Sequence, residues 1–291
     1  MIKVLVTGAN GQLGRSLASI SEQYECEMYF ADRERVDLQE ASTIRTSLND
    51  IQPDYIINCA AFTAVDLAES EIEKALAINH QGVLSLIQES KALDSKIIHI
   101  STDYVFNGAS TIPYQENERI DPQSVYGSSK AKGEEELLKH AKNRSLIIRT
   151  SWLYSEFGHN FFKTMYRLGA EKEFINVVSD QTGTPTYAID LAKAIMDIIQ
   201  TKRTFAESNA ILHFSNSGIS NWYEFATEIM KQGGLDCKVN PIESSAYPTA
   251  AKRPSYSVLN IEKMEKTLGY QIRDWKSALE DCISRFKKME K

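Results

Sequence analysis

The chain has 291 residues, 42% hydrophobic and 25% charged, with a formal net charge of -6. This composition is typical of a globular protein of one or two domains, and it argues against a nucleic-acid partner. The cysteines are scattered, with no Cys-x-x-Cys pair and no clustered histidines, so the sequence predicts free thiols and no metal site. No signal-peptide pattern occurs, and no run approaches the roughly 20 apolar residues of a membrane span. We therefore expect a cytoplasmic protein with no membrane partner.

The first half of the chain alternates short apolar runs with segments of helical periodicity. The predicted strands are residues 2–6, 27–31, 55–58, 96–100 and 146–149. The predicted helices between them are residues 13–21, 41–49, 73–93 and 130–141. This alternation predicts an α/β fold, a Rossmann-type doubly wound parallel sheet with helices on both faces.

Beyond residue 150 glycine, proline and serine residues interrupt this rhythm. Helices are still predicted for residues 160–170, 188–200, 222–231, 261–267 and 275–286. We assign residues 1–150 to a dinucleotide-binding domain and residues 151–291 mainly to a smaller, mixed substrate-binding region, some segments of which return to the Rossmann sheet. Open α/β sheets bind ligands at the carboxyl ends of their strands, so we expect this region to close over that edge.

A glycine-rich turn joins the first predicted strand to the first predicted helix. Gly8 suits the tight turn, Gly11 lets the backbone approach a phosphate, and Gly14 permits close packing of the helix. The helix amino terminus offers N–H groups and a positive dipole end to a pyrophosphate. A plain glycine-rich turn is the alternative, but the strand–turn–helix context favours a dinucleotide site. The same turn contributes the predicted cofactor contacts Asn10, Gln12 and Leu13.

The end of the second predicted strand carries residues expected at the adenosine end of the cofactor. Asp32 favours NADH through the ribose 2′-hydroxyl, whereas Arg33 suits the 2′-phosphate of NADPH. The choice between NADH and NADPH stays open here, and a surface ion pair is the alternative for Arg33. Further cofactor contacts are expected from Asp37, Leu38, Ala60, Ala61 and Thr63.

Tyr126 and Lys130 stand four residues apart, which on a helix places them one turn apart on one face. A nearby ammonium favours phenolate, so we expect Lys130 to lower the pKa of Tyr126 from its reference of about 10. Such a tyrosine exchanges protons near neutral pH. By itself, this spacing also fits an ordinary surface helix pair.

Five motifs occur in the order found in the extended short-chain dehydrogenase/reductase family, which the chain resembles. They are Thr7-Gly8-x-x-Gly11-x-x-Gly14, Asn58-x-Ala60-Ala61, Asn79-x-x-Gly82, Ser101-Thr102 and Tyr126-x-x-x-Lys130. Further segments resemble the branch of that family that reduces dTDP-4-dehydro-6-deoxy-L-mannose to dTDP-L-rhamnose, the last step in making this sugar nucleotide. These segments are Ala61-Phe62-Thr63-Ala64-Val65-Asp66-x-Ala68-Glu69, Ser101-Thr102-Asp103-Tyr104-Val105-Phe106, Arg149-Thr150-Ser151-Trp152, Asp180-Gln181-x-Gly183-x-Pro185-Thr186 and Arg253-Pro254.

The resemblance implies an NAD(P)H-dependent oxidoreductase that acts on a dTDP-sugar. Thr102 is expected to bind the carbonyl oxygen, Tyr126 to deliver its proton, and Lys130 to tune Tyr126 and hold the nicotinamide ribose. Asn79 is expected beside the cofactor, where its amide holds the backbone. The expected substrate contacts are Thr102, Asp103, Tyr104, Trp152 and Arg253, with Arg253 on the diphosphate. Core packing for Tyr104 and Trp152, and a solvated basic turn for Arg253, are the alternatives.

Two other functions stay open beside this reductase. A related dehydratase carries an Asp-Glu pair after the threonine, and an epimerase a serine-rich segment, whereas here Tyr104 follows Asp103. The second open function is that of a non-catalytic, NADP-binding regulatory subunit of the kind known for methionine adenosyltransferase. The intact Thr102, Tyr126 and Lys130 favour the enzyme over this subunit.

Some members of the family are dimers bridged by magnesium, which a glutamate in the first helix helps to hold. Arg15 stands at that place in this chain. No bound metal is therefore predicted, and magnesium is expected only as a companion of the sugar nucleotide. A homodimer stays an expectation.

Overall fold

A computed structural model of the protein describes residues 1–201 and 210–290. Within these residues, β-strands alternate with helices along the first half of the chain. The strands in chain order are β1 (Ile2–Thr7), β2 (Cys26–Ala31), β3 (Tyr55–Asn58), β4 (Lys96–Thr102), β5 (Ser145–Thr150), β6 (Leu153–Tyr154), β7 (Phe174–Val178), β8 (Thr182–Gly183), β9 (Thr186–Tyr187), β10 (Ala210–Phe214), β11 (Ser220–Asn221) and β12 (Lys238–Ile242).

The α-helices come between the strands and at the carboxyl end. In chain order they are α1 (Gln12–Ile20), α2 (Ala41–Ile51), α3 (Val65–Ala68), α4 (Ile72–Leu76), α5 (Gly82–Ser90), α6 (Val125–His140), α7 (Phe161–Glu171), α8 (Ala188–Thr201), α9 (Trp222–Gly233), α10 (Glu262–Leu268) and α11 (Trp275–Met289). A π-helical segment, Ala77–Gln81, connects α4 to α5.

Six parallel strands form the central sheet, in the order β2-β1-β3-β4-β5-β10. The predicted Rossmann-type α/β fold is thereby confirmed. The last strand, β10, comes from the second half of the chain and pairs in parallel with β5. From β1 the chain runs first to β2 on one side and then to β3 on the other side. The direction in which strands are added to the sheet therefore reverses at β1. Ligands of such sheets bind at this reversal.

Helices cover both faces of the sheet and create two separate cores. Leu13, Leu17 and Ile20 of α1 recur at helical spacing and join the core that also contains α7, α8, α9 and α11. Ile44 and Leu48 of α2 belong to the opposite core, together with α5 and α6. Because α1 and α2 lie on opposite faces, a crevice opens at the carboxyl ends of the strands between them.

The helix that carries Tyr126 starts earlier than the sequence predicts. Ser124 caps it, since its Oγ accepts a hydrogen bond from Gly127 N at 3.1 Å. The predicted start at Lys130 is therefore wrong, and both Tyr126 and Lys130 lie within α6. The single helix predicted for residues 73–93 is also wrong, because the π-helical segment containing Asn79 separates α4 from α5.

In the part of the chain that the structure describes, no helix combines the length and apolar character needed to cross a membrane.

Candidate active site

A cavity of about 1010 Å³ lies at the carboxyl ends of β1, β3, β4 and β5. Its lining includes the glycine turn after β1, the loop after β3, the turn after β4 and the first turns of α6. Residues 158–161 and Trp222 belong to the lining as well. The cavity therefore lies where the strand order reverses, and residues from the carboxyl half of the chain also line it.

The glycine turn fits a dinucleotide pyrophosphate. Gly8 has φ +65°, and a Cβ there would stand 2.7 Å from Ala60 N. A Cβ on Gly14 would stand 2.6 Å from the carbonyl oxygen of Gly8, so α1 packs directly on the turn. Gly11 is the N-cap of α1, and no side chain of the described residues caps this helix end. Its N–H groups therefore face the cavity as an anion site.

The adenosine-end residues divide into two groups. Arg33, Asp37 and Leu38 line the cavity. Asp32 is not part of this lining. Its Oδ1 accepts hydrogen bonds from Glu34 N at 3.1 Å and Arg35 N at 3.2 Å. Arg33 binds Asp37 at 3.0 Å, yet its side chain remains 69% exposed.

The predicted contacts after β3 come together at the cavity. Ala60, Ala61 and Thr63 all line it. Asn79 lies behind them, 1% exposed, and does not line the cavity. Its Oδ1 accepts from Phe62 N at 2.8 Å, and its Nδ2 donates to Phe62 O at 3.0 Å. The amide thus holds the loop backbone at this wall.

Thr102 and Tyr126 meet beside the turn that follows β4. Helix α6 approaches this turn so closely that a Cβ on Gly127 would stand 2.2 Å from the carbonyl oxygen of Tyr104. The rings of Tyr104 and Tyr126 make an edge contact with centroids 5.6 Å apart. Thr102 Oγ1 accepts from Tyr104 N at 3.2 Å and donates to Asp103 Oδ1 at 3.1 Å. Hydroxyl and carboxyl groups therefore converge on one end of the cavity.

Burial, rather than Lys130, dominates the pKa of Tyr126. Desolvation raises this pKa above its ordinary value. The predicted lowering by Lys130 is wrong, because Lys130 Nζ is directed to the sheet, where it donates to Ile100 O at 2.6 Å and lies 3.1 Å from His99 Nε2. Burial lowers the pKa of Lys130 itself to about 8. The phenol of Tyr126 is thus protonated at neutral pH, as a proton donor requires.

Asp103 is a buried carboxyl group at the same end of the cavity. Desolvation raises its pKa to about 6, although hydrogen bonds that include the one from Thr102 act in the opposite direction. Burial also raises the pKa of its neighbour Tyr104 to about 12. Asp103 is therefore mostly ionised only above pH 6.

Trp152 provides a flat wall of the cavity and stacks on Trp222 with ring centroids 3.6 Å apart. A Cβ on Gly183 would stand 2.6 Å from the Trp152 ring, so glycine is required beneath it. Trp152 has φ +46°, an uncommon conformation for a bulky residue, and such strain is frequent at functional sites. Gln181 holds Trp222 by accepting from its Nε1 at 3.1 Å.

Arg253 lies outside the main cavity lining, at a small adjoining pocket. Its Nη2 lies 2.6 Å from Asp66 Oδ2, and its Nη1 donates to Tyr104 OH at 3.4 Å. The guanidinium thus touches a residue of the cavity wall.

The sequence does not identify several residues that line the cavity. Trp222 is hidden as the first residue of a predicted helix, and only its place beside Trp152 reveals it. Residues 158–160 belong to a loop that meets the glycine turn, where Gln12 Oε1 accepts from Asn160 Nδ2 at 2.8 Å. Lys74 supplies a further cation at the wall. These contacts join residues far apart in sequence, so no local motif marks them.

Among residues 1–201 and 210–290, no group of three or more His, Cys, Asp or Glu side chains is arranged to hold a metal ion. Arg15 extends over the ring of Phe157, with 4.7 Å between its guanidinium carbon and the ring centroid.

The chain is similar to characterised proteins over nearly its whole length. A family model described as the RmlD substrate binding domain matches residues 2–288. Spore coat polysaccharide biosynthesis protein SpsK of Bacillus subtilis is 42% identical over 97% of each chain. The dTDP-4-dehydrorhamnose reductase of Sinorhizobium fredii is 40% identical over 95% of each chain. The crystal structure of dTDP-4-dehydrorhamnose reductase from Bacillus anthracis in complex with NADP has a TM-score of 0.91 and 38% identity, covering 98% of this chain and 100% of that one.

The Rossmann sheet, the glycine turn and the Tyr126–Lys130 pair on one helix define an oxidoreductase of the short-chain dehydrogenase/reductase class that uses a nicotinamide cofactor. The extent of the family match and the identity to its members make the assignment more specific. The chain belongs to the dTDP-4-dehydrorhamnose reductase family.

Proposed function

We propose that the protein reduces the C4 ketone of dTDP-4-dehydro-6-deoxy-L-mannose to dTDP-L-rhamnose, with NADPH as the preferred reductant. The observation that carries this proposal is the convergence of Thr102, Asp103 and the protonated Tyr126 at one end of a cavity whose other end is the glycine turn. The name of the Sinorhizobium fredii relative, 40% identical, supports the sugar nucleotide as substrate.

The cofactor would lie along the glycine turn. The amino end of α1 would hold the pyrophosphate, and Ala60 and Ala61 would leave room for the cofactor against the loop backbone. When bound, the reduced nicotinamide supplies a hydride to the carbonyl carbon of the substrate.

The protein's own part in the reduction is to orient the ketone and to protonate its oxygen. Negative charge develops on this oxygen as the carbon accepts hydride, and the Thr102 hydroxyl would stabilise it by a hydrogen bond. Tyr126 would transfer its phenolic proton to the resulting alkoxide, which gives the hydroxyl group of the product. The raised pKa of Tyr126 supports this direction of transfer, since the phenol enters the reaction protonated.

Preference for NADPH is supported by the adenosine end of the cavity. Asp32, which would favour a ribose 2′-hydroxyl, uses its carboxylate to cap its own turn. Arg33 lines the cavity and presents a largely exposed guanidinium that suits a 2′-phosphate. The relative solved in complex with NADP supports the same choice.

A coupled assay tests this function. A dehydratase and an epimerase would generate the dehydro-sugar from dTDP-glucose, and oxidation of NADPH and of NADH would be followed separately. We expect rapid oxidation of NADPH, slower oxidation of NADH and a product whose NMR spectrum is that of dTDP-L-rhamnose. If no cofactor is oxidised while the protein binds NADP and a protein partner tightly, the regulatory-subunit alternative replaces the reductase.

Two further aspects belong to this proposal. The name of the Bacillus subtilis relative supports use of the product in a surface polysaccharide. Homodimer formation stays a prediction, which sedimentation velocity of the purified protein would test.

A further inference from the structure

A chain of buried hydrogen bonds connects Lys130 to the strand beneath the glycine turn. Lys130 Nζ lies 3.1 Å from His99 Nε2, and Asn58 Nδ2 lies 3.0 Å from His99 Nδ1. Asn58 Oδ1 accepts from Thr7 Oγ1 at 2.7 Å. These four side chains are 0% to 2% exposed, so water does not substitute for a missing partner. The chain crosses β4, β3 and β1 in turn.

A neutral imidazole has one N–H donor and one acceptor nitrogen, and this fixes the direction of the chain. With the Asn58 amide as it stands, Nδ2 donates to His99 Nδ1, so the proton of His99 resides on Nε2. That Nε2–H then donates to Lys130, which accepts only as a neutral amine. Lys130 keeps its own donor bond to Ile100 O at 2.6 Å. Each hydrogen bond of the chain then joins one donor to one acceptor.

The opposite charge state of Lys130 reverses the chain. An ammonium has only donors, so it must donate to His99 Nε2, and the proton of His99 moves to Nδ1. Nδ1–H then needs an acceptor, which Asn58 provides when its amide turns over and presents oxygen. The amide nitrogen in turn donates to Thr7 Oγ1. Both charge states of Lys130 can thus bond to His99, at the cost of one amide rotation, one change of tautomer and a turn of the Thr7 hydroxyl.

We propose that His99 is a positioning residue for the reduction: it pairs with Lys130 as ammonium or as amine by switching tautomer, and Asn58 and Thr7 complete the switch. This inference rests on the proposed function only for its kinetic consequences. Through the switch the protein keeps a charged Lys130 available beside the cofactor in a buried site. Without His99, the ammonium would retain Ile100 O alone and would lose its proton more easily.

The other ionisable groups around Lys130 do not replace His99. Glu134, one turn further along α6, favours the ammonium, but it is engaged by Arg149 of β5 at 2.6 Å. Cys59 after β3 also acts on Lys130, while burial raises the pKa of its thiol to about 12 and so keeps it neutral. Burial and Lys130 lower the pKa of His99 well below its ordinary value, so His99 stays neutral throughout. The titration therefore belongs to Lys130.

NMR of the wild-type protein tests the switch without any assay of activity. The ¹³Cε resonance of Lys130, assigned with Lys130→Met, reports its charge, and the ¹⁵N resonances of His99 report which ring nitrogen carries the proton. We expect the proton on Nδ1 at low pH and on Nε2 at high pH, with a midpoint equal to that of Lys130. An unchanged His99 tautomer across the Lys130 titration would overturn the proposal.

Substitution gives a second test. We expect His99→Leu to reduce the proton affinity of Lys130 by about tenfold, because the hydrogen bond lost from the ammonium is stronger than the one lost from the neutral amine. His99→Gln, whose amide both donates and accepts, should restore most of it. His213→Leu is the matched control, since it removes another fully buried histidine from the same sheet, one whose Nδ1 partner is Tyr114 O. Equal Lys130 titrations in His99→Leu and His213→Leu would overturn the proposal.

The kinetic readout separates this inference from the proposed function. In an active enzyme the basic limb of the pH profile of kcat/KM should move to lower pH in His99→Leu, by as much as the pKa of Lys130 falls. It should stay in place in His213→Leu. A protein that fails to reduce the sugar but shows the tautomer switch would refute the proposed function alone. A basic limb that does not move in a folded, active His99→Leu enzyme would refute the role of His99.

Discussion

The guanidinium of Arg253 contacts the carboxylate of Asp66 at 2.6 Å, across 187 residues of sequence. Asp66 also accepts from Ala251 N at 3.0 Å, so two bonds fix the carboxyl-terminal loop to the start of α3. Ala64 and Val65, which precede Asp66, line the main cavity. This ion pair therefore connects the Rossmann half to the predicted substrate-binding region at the edge of the site.

Replacing Arg253 should weaken the binding of the sugar nucleotide more than the binding of the cofactor. We expect Arg253→Ala to raise KM for the dTDP-sugar by about ten- to a hundredfold, because a charge-assisted hydrogen bond is lost, with little change for NADPH. Lys252→Ala is the matched control, since Lys252 is the exposed neighbouring cation. Initial rates at varied sugar concentration decide the matter, and equal effects of the two variants would contradict a phosphate contact by Arg253.

The buried Asp103 carboxyl should make stability depend on pH. Its pKa is about 6 in the folded protein and 3.8 in the reference state, so between these values the folded state binds more protons than the unfolded state. Stability therefore falls as pH rises from about 4 to about 6, by roughly 3 kcal/mol. Asp103→Asn removes this loss. Urea unfolding of both proteins from pH 4 to pH 7 should show their free-energy difference changing over this window, and a constant difference would refute the raised pKa.

Arg33 should control the choice of cofactor. We expect Arg33→Ala to raise KM for NADPH by about tenfold or more, since a cation facing the 2′-phosphate is removed, and to leave KM for NADH nearly unchanged. Arg35→Ala serves as control, because Arg35 is an exposed arginine two residues further on that does not line the cavity. A parallel loss with both cofactors would mean that Arg33 acts on the fold of the turn instead.

The stacked pair Trp152 and Trp222 should contribute to sugar-nucleotide binding. Trp222→Ala exposes one face of Trp152 and removes the hydrogen bond from Trp222 Nε1 to Gln181 Oε1, so we expect KM for the dTDP-sugar to rise about tenfold. Trp222→Phe keeps an aromatic face and should cost much less. Unchanged kinetics in Trp222→Ala would show that the pair only packs the carboxyl half of the chain.

Much of the sheet can be predicted from the sequence because its strands are short, continuous apolar runs buried on both faces. Strand β10 is not predicted, since its identity as a strand depends on pairing with β5, some sixty residues earlier. The early start of α6 is marked by Ser124, a residue type that commonly caps helices. Local sequence signals thus predict that a helix or strand is present better than they predict where it begins and ends.

The site is predictable where a motif is local and not where contact is distant. The glycine turn, Thr102, Tyr126 and Lys130 reach one cavity as their motifs indicate. Asp32 lies outside the cavity lining and caps its own turn, and Arg253 contacts Asp66, which is 187 residues away in sequence and shares no local pattern with it. The sequence signal at His99 is a polar residue inside the apolar run of β4.

Tyr126→Phe tests the central claim most directly, since it removes one hydroxyl group and keeps the ring. The measurement is the single-turnover rate of NADPH oxidation with the dTDP-dehydro-sugar, alongside the dissociation constant for NADPH. If Tyr126 supplies the proton, the rate should fall by about a hundredfold to ten-thousandfold while the dissociation constant stays within about threefold of wild type. A variant that reduces the sugar at the wild-type rate would contradict the account.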